Sequence, residues 1–157
     1  MAHQQIEVNL PLSKVYESLN SPVDFPRFMK GIDEVKKINS QTYEFITTIG
    51  EEEYKWTTNI IDDLRNTRFA WITISGDLNQ TGTIRFTPLE NGTRTRIDFS
   101  LDYRPFFGEA EGAFKEYIDA AEDQLGKDMD YLREALENGT FGESSEEDAE
   151  NKEEATV

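Results

Sequence analysis

Between residues 114 and 136 the side chains Phe114, Ile118, Ala121, Leu125, Met129, Leu132 and Leu136 recur at steps of 4, 3, 4, 4, 3 and 4, the spacing that gathers one face of an α-helix. Such a helix, running to Glu137, is roughly 36 Å long at 1.5 Å per residue, enough to cross a whole sheet. A single apolar stripe buries only one side of it. The rest of the chain must therefore supply a broad apolar surface for that stripe to lie on. Pro105, Gly108 and Gly112 separate the helix from what precedes it, and Asn138-Gly139 gives it a C-terminal stop.

That surface is legible upstream. Gln4 to Leu10 alternates, with Ile6, Val8 and Leu10 on one face and Gln5, Glu7 and Asn9 on the other, as a half-buried strand does. Leu12, Val15, Tyr16 and Leu19 then share a helical face after Pro11 and Ser13, closed by Asn20. Ser21-Pro22-Val23-Asp24 has the chemistry of a second helix start, which Pro26 limits to about one turn. From Ile32 to Arg104 alternating segments begin near Ile32, Gln41, Glu52, Arg68, Thr81 and Thr93, divided by Asn39-Ser40, Gly50-Glu51, Asn66-Thr67, Ser75-Gly76-Asp77 and Glu90-Asn91-Gly92. The last divider carries the Asn-Gly pair that supplies positive φ in a tight hairpin turn.

The length, 157 residues, suits one domain, and 36% hydrophobic with 11% aromatic residues suffices for a core. Residues 1–137 are read as that domain. The net charge is −16, and the segment 138–157, with seven acids against Lys152, is read as an acidic, disordered tail. The remainder is acidic too. Such a surface repels phosphate backbones and anionic headgroups, which argues against nucleic acid and against docking on a charged membrane; solubility or a salt-rich environment would each account for it. With no cysteine there is no disulfide framework or thiolate chemistry. Without a secretory segment or an apolar run of about 18 residues, the expectation is a soluble, cytoplasmic protein with no integral membrane association.

Individual residues carry a resemblance. Ile6-Glu7-Val8, Pro11 and Val15-Tyr16 are followed by Asp24-Phe25-Pro26-Arg27-Phe28-Met29. Then come Tyr54-Lys55-Trp56 leading to Ile60, Arg68-Phe69-Ala70-Trp71, Gly82-Thr83-Ile84-Arg85-Phe86-Thr87-Pro88-Leu89, Gly92-Thr93-Arg94-Thr95-Arg96 and Tyr103-Arg104-Pro105. Over about residues 4 to 137 the chain resembles the SRPBCC (START-like) superfamily, in its polyketide cyclase/dehydrase and ubiquinone-binding-protein branch. It departs at Leu64-Arg65-Asn66, where relatives often carry a proline. The resemblance implies an α+β helix-grip fold: a seven-stranded, curved antiparallel sheet, two short helices and one long C-terminal helix enclosing a cavity. It further implies an apolar guest such as a lipid, quinone or polyketide-like molecule.

Period-two alternation nominates the cavity walls. Tyr54, Trp56, Thr58 and Ile60 share one strand face, Ile84 and Phe86 another, and Ile97, Phe99, Leu101 and Tyr103 a third; Phe114, Ile118, Ala121 and Leu125 face them from the helix. The alternative is that these side chains pack into a solid core. Tyr43, Tyr54, Tyr103 and Thr58 could place hydroxyls inside. Arg85 and Arg104 are candidates for the pocket mouth, although surface ion pairing in so acidic a protein is the leading reading for both, and Phe106-Phe107 for a lid at the entrance, a plug over the core or a protein docking patch. The lone histidine, His3, sits near the N-terminus, so the usual general base of a hydrolase or cyclase is missing. No metal site is expected: adjacent strand carboxylates, as in Glu51-Glu52-Glu53 or Asp62-Asp63, point to opposite faces. No cofactor is implied. The leading reading is carriage of an apolar small molecule. The alternatives are a cyclase or dehydratase using tyrosine and arginine, and a protein-interaction module using Phe106-Phe107 or the acidic tail.

Overall fold

The computed structural model describes residues 2–104 and 112–139. In chain order these form β1 (Ala2–Val8), α1 (Leu12–Leu19), a 3-10 helix (Pro22–Arg27), β2 (Glu34–Lys37), β3 (Thr42–Ile49), β4 (Glu52–Leu64), β5 (Arg68–Gly76), β6 (Asn79–Leu89), β7 (Arg94–Arg104) and α2 (Gly112–Glu137). The seven strands make one antiparallel sheet in the order β1-β7-β6-β5-β4-β3-β2, so β1 crosses over to pair with β7 and every other neighbour is a hairpin partner. This is the helix-grip α+β architecture. Residues Phe106 and Phe107, and the tail from residue 140, lie outside the described residues. Among the described residues no helix is long and apolar enough to cross a membrane.

The second short helix is 3-10 in form, because Pro26, inside it, has no N–H for an α-helical hydrogen bond. The turn after β4 is built without a proline: Asn66 sits there at φ 62°, a left-handed conformation that asparagine tolerates. Two register shifts in β4, at Thr57/Thr58 and Ile60/Asp62, interrupt its ladder with β5; such irregularities bend a sheet and increase its twist. Ladder pairing of β5 with β6 extends only from Arg68↔Arg85 to Trp71↔Gly82. Beyond it the Thr73 hydroxyl bridges the gap, donating to the Gln80 carbonyl at 2.8 Å and accepting from the Gln80 N–H at 2.9 Å.

Two glycines are dictated by a tryptophan. A Cβ on Gly82 would stand 2.1 Å from Cζ2 of Trp71, and one on Gly76, at φ +123°, 2.4 Å from Cα of Trp56. The concave face is filled at its centre by aromatic rings. Phe25, from the 3-10 helix, lies 5.1 Å from Trp71, 5.8 Å from Phe28 and 6.2 Å from Phe45; Phe99 lies 6.1 Å from both Phe28 and Trp71. Ile118, Leu125, Met129, Leu132, Ala135 and Leu136 of α2 are buried in the same core. The short helices thus act as a wedge in one part of the grip while α2 closes over another.

Candidate functional site

Each strand contributes its in-phase residues to the inner face. On β4, Trp56 and Thr58 are 1% and 0% exposed; Tyr54 is half-buried at one end, its ring 5.8 Å from that of Phe114 on α2. Ile84 and Phe86 of β6, and Ile97, Phe99, Leu101 and Tyr103 of β7, are all buried. Facing them, Ile118 and Leu125 are buried and Phe114 and Ala121 are packed against the core more loosely. These positions from the sequence do converge between sheet and helix.

Two candidates of the same core also reach a second depression. Tyr43 pairs with Thr58 in the β3–β4 ladder, whereas Tyr54 pairs with Thr47 at the opposite end of that hairpin. Tyr43, buried in that core, and Ile60, packed against it, also line a cleft of about 390 Å³ with Asn20, Ser40, Gln41, Ile61, Asp62, Asp63 and Phe69. The two arginines considered for the pocket mouth or for surface ion pairing stand on the outer face. Arg85 is exposed and out of phase with the buried Ile84 and Phe86, opposite Asp98 in the β6–β7 ladder. Arg104, next to inward-facing Tyr103, is held 2.7 Å from Asp102, with its side chain 70% exposed. The same alternation that turns their neighbours inward turns both guanidiniums outward.

The inner face also carries a polar network. The Gln80 side chain accepts from Trp71 Nε1 at 3.1 Å and donates to the Tyr103 hydroxyl at 3.0 Å. The Tyr103 ring meets Tyr117 of α2 edge to face, with centroids 6.0 Å apart. The Tyr117 hydroxyl donates to the Gly31 carbonyl at 2.6 Å, and Thr47 donates to that same carbonyl at 2.8 Å. Burial holds the Tyr103 phenol well above its ordinary pKa and pushes Tyr117 up to about 12, so both remain neutral. A groove of about 190 Å³ runs along this junction, lined by Lys30, Gly31, Tyr117, Ala120, Ala121 and Gln124.

Against these paired groups stand two unpaired ones. Trp56 Nε1 and Thr58 Oγ1 are buried with no hydrogen-bond partner among the described residues. A buried donor left without a partner costs about 1–3 kcal/mol. Both lie on the inner edge of β4, two residues apart.

Sequence reasoning missed Gln80, Thr73, Thr47 and Tyr117. Gln80 is in phase with Gly82, Ile84 and Phe86 and was lost only by starting that strand at Thr81. Tyr117 stands three residues after Phe114 and four before Ala121, so helical spacing could have found it. It also missed Asp128, a carboxylate 4% exposed on α2, whose pKa burial lifts from 3.8 to about 6 against hydrogen bonds from Gln124 and the Lys30 backbone and the Lys30 charge.

Comparison with known proteins agrees with this architecture. A Deinococcus radiodurans protein of solved structure superposes with a TM-score of 0.72 at 16% identity, covering 88% of this chain and 98% of that one. A START superfamily protein from Mycobacterium smegmatis gives 0.67 at 14%, covering 86% and 97%. The Zhui aromatase/cyclase of a Streptomyces species gives 0.57 at 19%, covering 92% of each. In sequence, an uncharacterized 17.2 kDa protein of Streptomyces lincolnensis is 24% identical over 102 residues, 65% of this chain and 67% of its own length. Residues 2–137 match the family described as polyketide cyclase / dehydrase and lipid transport, and with the seven-stranded grip and its long C-terminal helix on the page, the chain belongs to that family.

Proposed function

We propose that the protein binds and carries an apolar small molecule, lipid, quinone or polyketide-like, between the inner face of the sheet and the N-terminal half of α2. The observation that carries the reading is the pair of unpartnered buried groups, Trp56 Nε1 and Thr58 Oγ1. A guest with a carbonyl or hydroxyl oxygen over β4 would satisfy them, while Ile118, Leu101 and Phe114 would supply apolar contact. The groove beside Tyr117 and Lys30 offers an approach from solvent. Interior charge favours carriage over catalysis: among the described residues the buried polar set is Thr47, Thr58, Thr73, Gln80, Thr95 and Asp128, with no cation to stabilise a developing enolate.

One observation favours a second reading, a cyclase or dehydratase. Tyr103 is buried, neutral and oriented by Gln80, the state in which a phenol can donate a hydrogen bond to a substrate carbonyl. The guanidinium partner expected beside it stands on the outer face, so such chemistry would rest on tyrosine alone.

The test is native mass spectrometry of protein purified without detergent, followed by titration with the neutral dye Nile red. A co-purified apolar molecule, or saturable dye binding abolished by Ile118→Trp in a folded variant, is the expected result. Bare-chain mass together with dye binding that ignores Ile118→Trp would overturn the proposal. Turnover of a polyketide-like substrate that is lost in Tyr103→Phe while dye affinity is kept would select the second reading.

A further inference from the structure

The cleft at the far end of β3 and β4 has a chemistry of its own. Its walls are Ile60, Ile61 and Phe69, and its rim is Asn20, Ser40 and Gln41. Of its two carboxylates, Asp62 is already neutralised by an ion pair with Arg68. Asp63 is not: it accepts a hydrogen bond from the Tyr16 hydroxyl, and no lysine or arginine pairs with it among the described residues. The Arg65 guanidinium, beside Tyr16, is engaged elsewhere, 5.8 Å over the Tyr16 ring and 3.2 Å from Glu17.

Tyr43 supplies the second, independent observation. Its side chain is 6% exposed and lines the cleft, yet its hydroxyl makes no hydrogen bond among the described residues. The phenol is neutral, its pKa raised by burial and then by the Asp63 charge. Its oxygen lone pairs and proton are therefore both available to a guest. Tyr16 stays protonated as well, its pKa pushed to about 12 by burial and by Asp63, so it holds the carboxylate in place as a fixed donor. A carboxylate without a cation, a phenol oxygen without a partner and two apolar walls together match one class of ligand.

We propose that this cleft is a second binding site, separate from the grip under α2, for a small organic primary ammonium ion with an apolar body. The ammonium donates to Asp63 and to the Tyr43 oxygen, and the apolar body lies on Ile60 and Phe69. The protein's net charge of −16 adds a long-range attraction for cations and none for anions. A neutral alcohol of the same shape would lose the charge-assisted bond, and a carboxylate analogue would meet Asp63 head on.

The probe is 2-phenylethylammonium, with 2-phenylethanol and 3-phenylpropionate as neutral and anionic counterparts, titrated into the isotope-labelled full chain and followed by amide chemical shifts. Expected are saturable shifts confined to Asn20, the Gln41–Tyr43 segment, Ile60–Asp63 and Phe69, with the alcohol at least roughly tenfold weaker and the carboxylate silent. Asp63→Asn, which keeps an acceptor for Tyr16, should weaken the amine roughly tenfold; Tyr43→Phe, which removes a hydroxyl with no partner, should weaken it several-fold. Both variants should keep the wild-type melting temperature within a few degrees. Ile118→Trp should leave amine binding unchanged, which separates this site from the grip. Amine affinity unaltered by Asp63→Asn, equal binding of the alcohol, shifts centred on α2, or no saturable shift at all would each overturn the assignment.

Discussion

Asp128 gives the sharpest energetic test. It is a buried carboxylate whose folded-state pKa stands near 6 instead of 3.8. Between those values the folded protein holds a proton that the unfolded chain releases. Stability from this group is therefore fully present below pH 3.8 and is lost as pH rises through 6, with a slope of about −1.4 kcal/mol per pH unit. Over about two units the loss reaches about 3 kcal/mol. Asp128→Asn mimics the protonated form, since its amide oxygen can still accept from the Lys30 N–H, and Gln124, 3.2 Å away, can turn its amide to accept from the new N–H. The variant should match wild type at pH 3.5 and exceed it by about 2–3 kcal/mol at pH 7. Urea unfolding followed by the fluorescence of Trp56 and Trp71 at a series of pH values measures the difference directly. A variant less stable than wild type at pH 7, or a difference that does not change with pH, would mean that the Lys30 charge outweighs burial and would refute the reasoning.

Other substitutions probe the framework. Gly82→Ala forces a methyl into the Trp71 indole, 2.1 Å away, and should cost about 3 kcal/mol or prevent folding; a thermal midpoint equal to wild type would show that the ring can yield. Gln80→Leu strips the partner from Trp71 Nε1 and one from Tyr103, for an expected loss of about 2–4 kcal/mol in chemical denaturation, and a loss under 1 would mean another group takes over. Arg85→Ala and Arg104→Ala, on the outer face, should change stability by no more than about 0.5 kcal/mol and leave Nile red affinity untouched; weakened dye binding in either would return that arginine to the pocket mouth.

How much of this was legible follows from which forces act locally. Alternation along β4, β6 and β7 placed Trp56, Ile84 and Tyr103 inward because a strand has one period and one buried face. Helical spacing did the same for Ile118 and Leu125. The period says nothing about position along the strand, however. Tyr43 and Tyr54 look alike in sequence, yet ladder register puts them at opposite ends of one hairpin, Tyr43 on a cleft and Tyr54 against Phe114. Phe25 is invisible as a core residue by periodicity, since it sits in a single 3-10 turn, although it fills the centre of the grip beside Trp71 and Phe45. Asp128 breaks the rule that helical acids face water, and only the packing of Lys30 and Gln124 around it makes its burial tolerable.

The polar groups of the interior are distributed in a way that bears on function. On the inner face of β5, β6 and β7 they are answered within the protein, Trp71 by Gln80 and Gln80 by Tyr103 and Thr73, all at 2.8–3.1 Å, and the unpartnered Arg94 Nε and Arg96 Nε of β7 are out of phase with that face. On β4 the corresponding tryptophan and threonine, Trp56 and Thr58, are not. Two tryptophans on one sheet, both 1% exposed, one reached by a glutamine and the other not, make an internal comparison. If packing alone had shaped this interior, a valine at position 58 would fill the same space without an orphaned hydroxyl and at lower energetic cost. A donor pair retained at that cost is accounted for by something that accepts from it. The carrier reading accordingly requires that Thr58→Val leave the protein as stable as wild type or more so, while weakening its hold on an oxygen-bearing apolar guest.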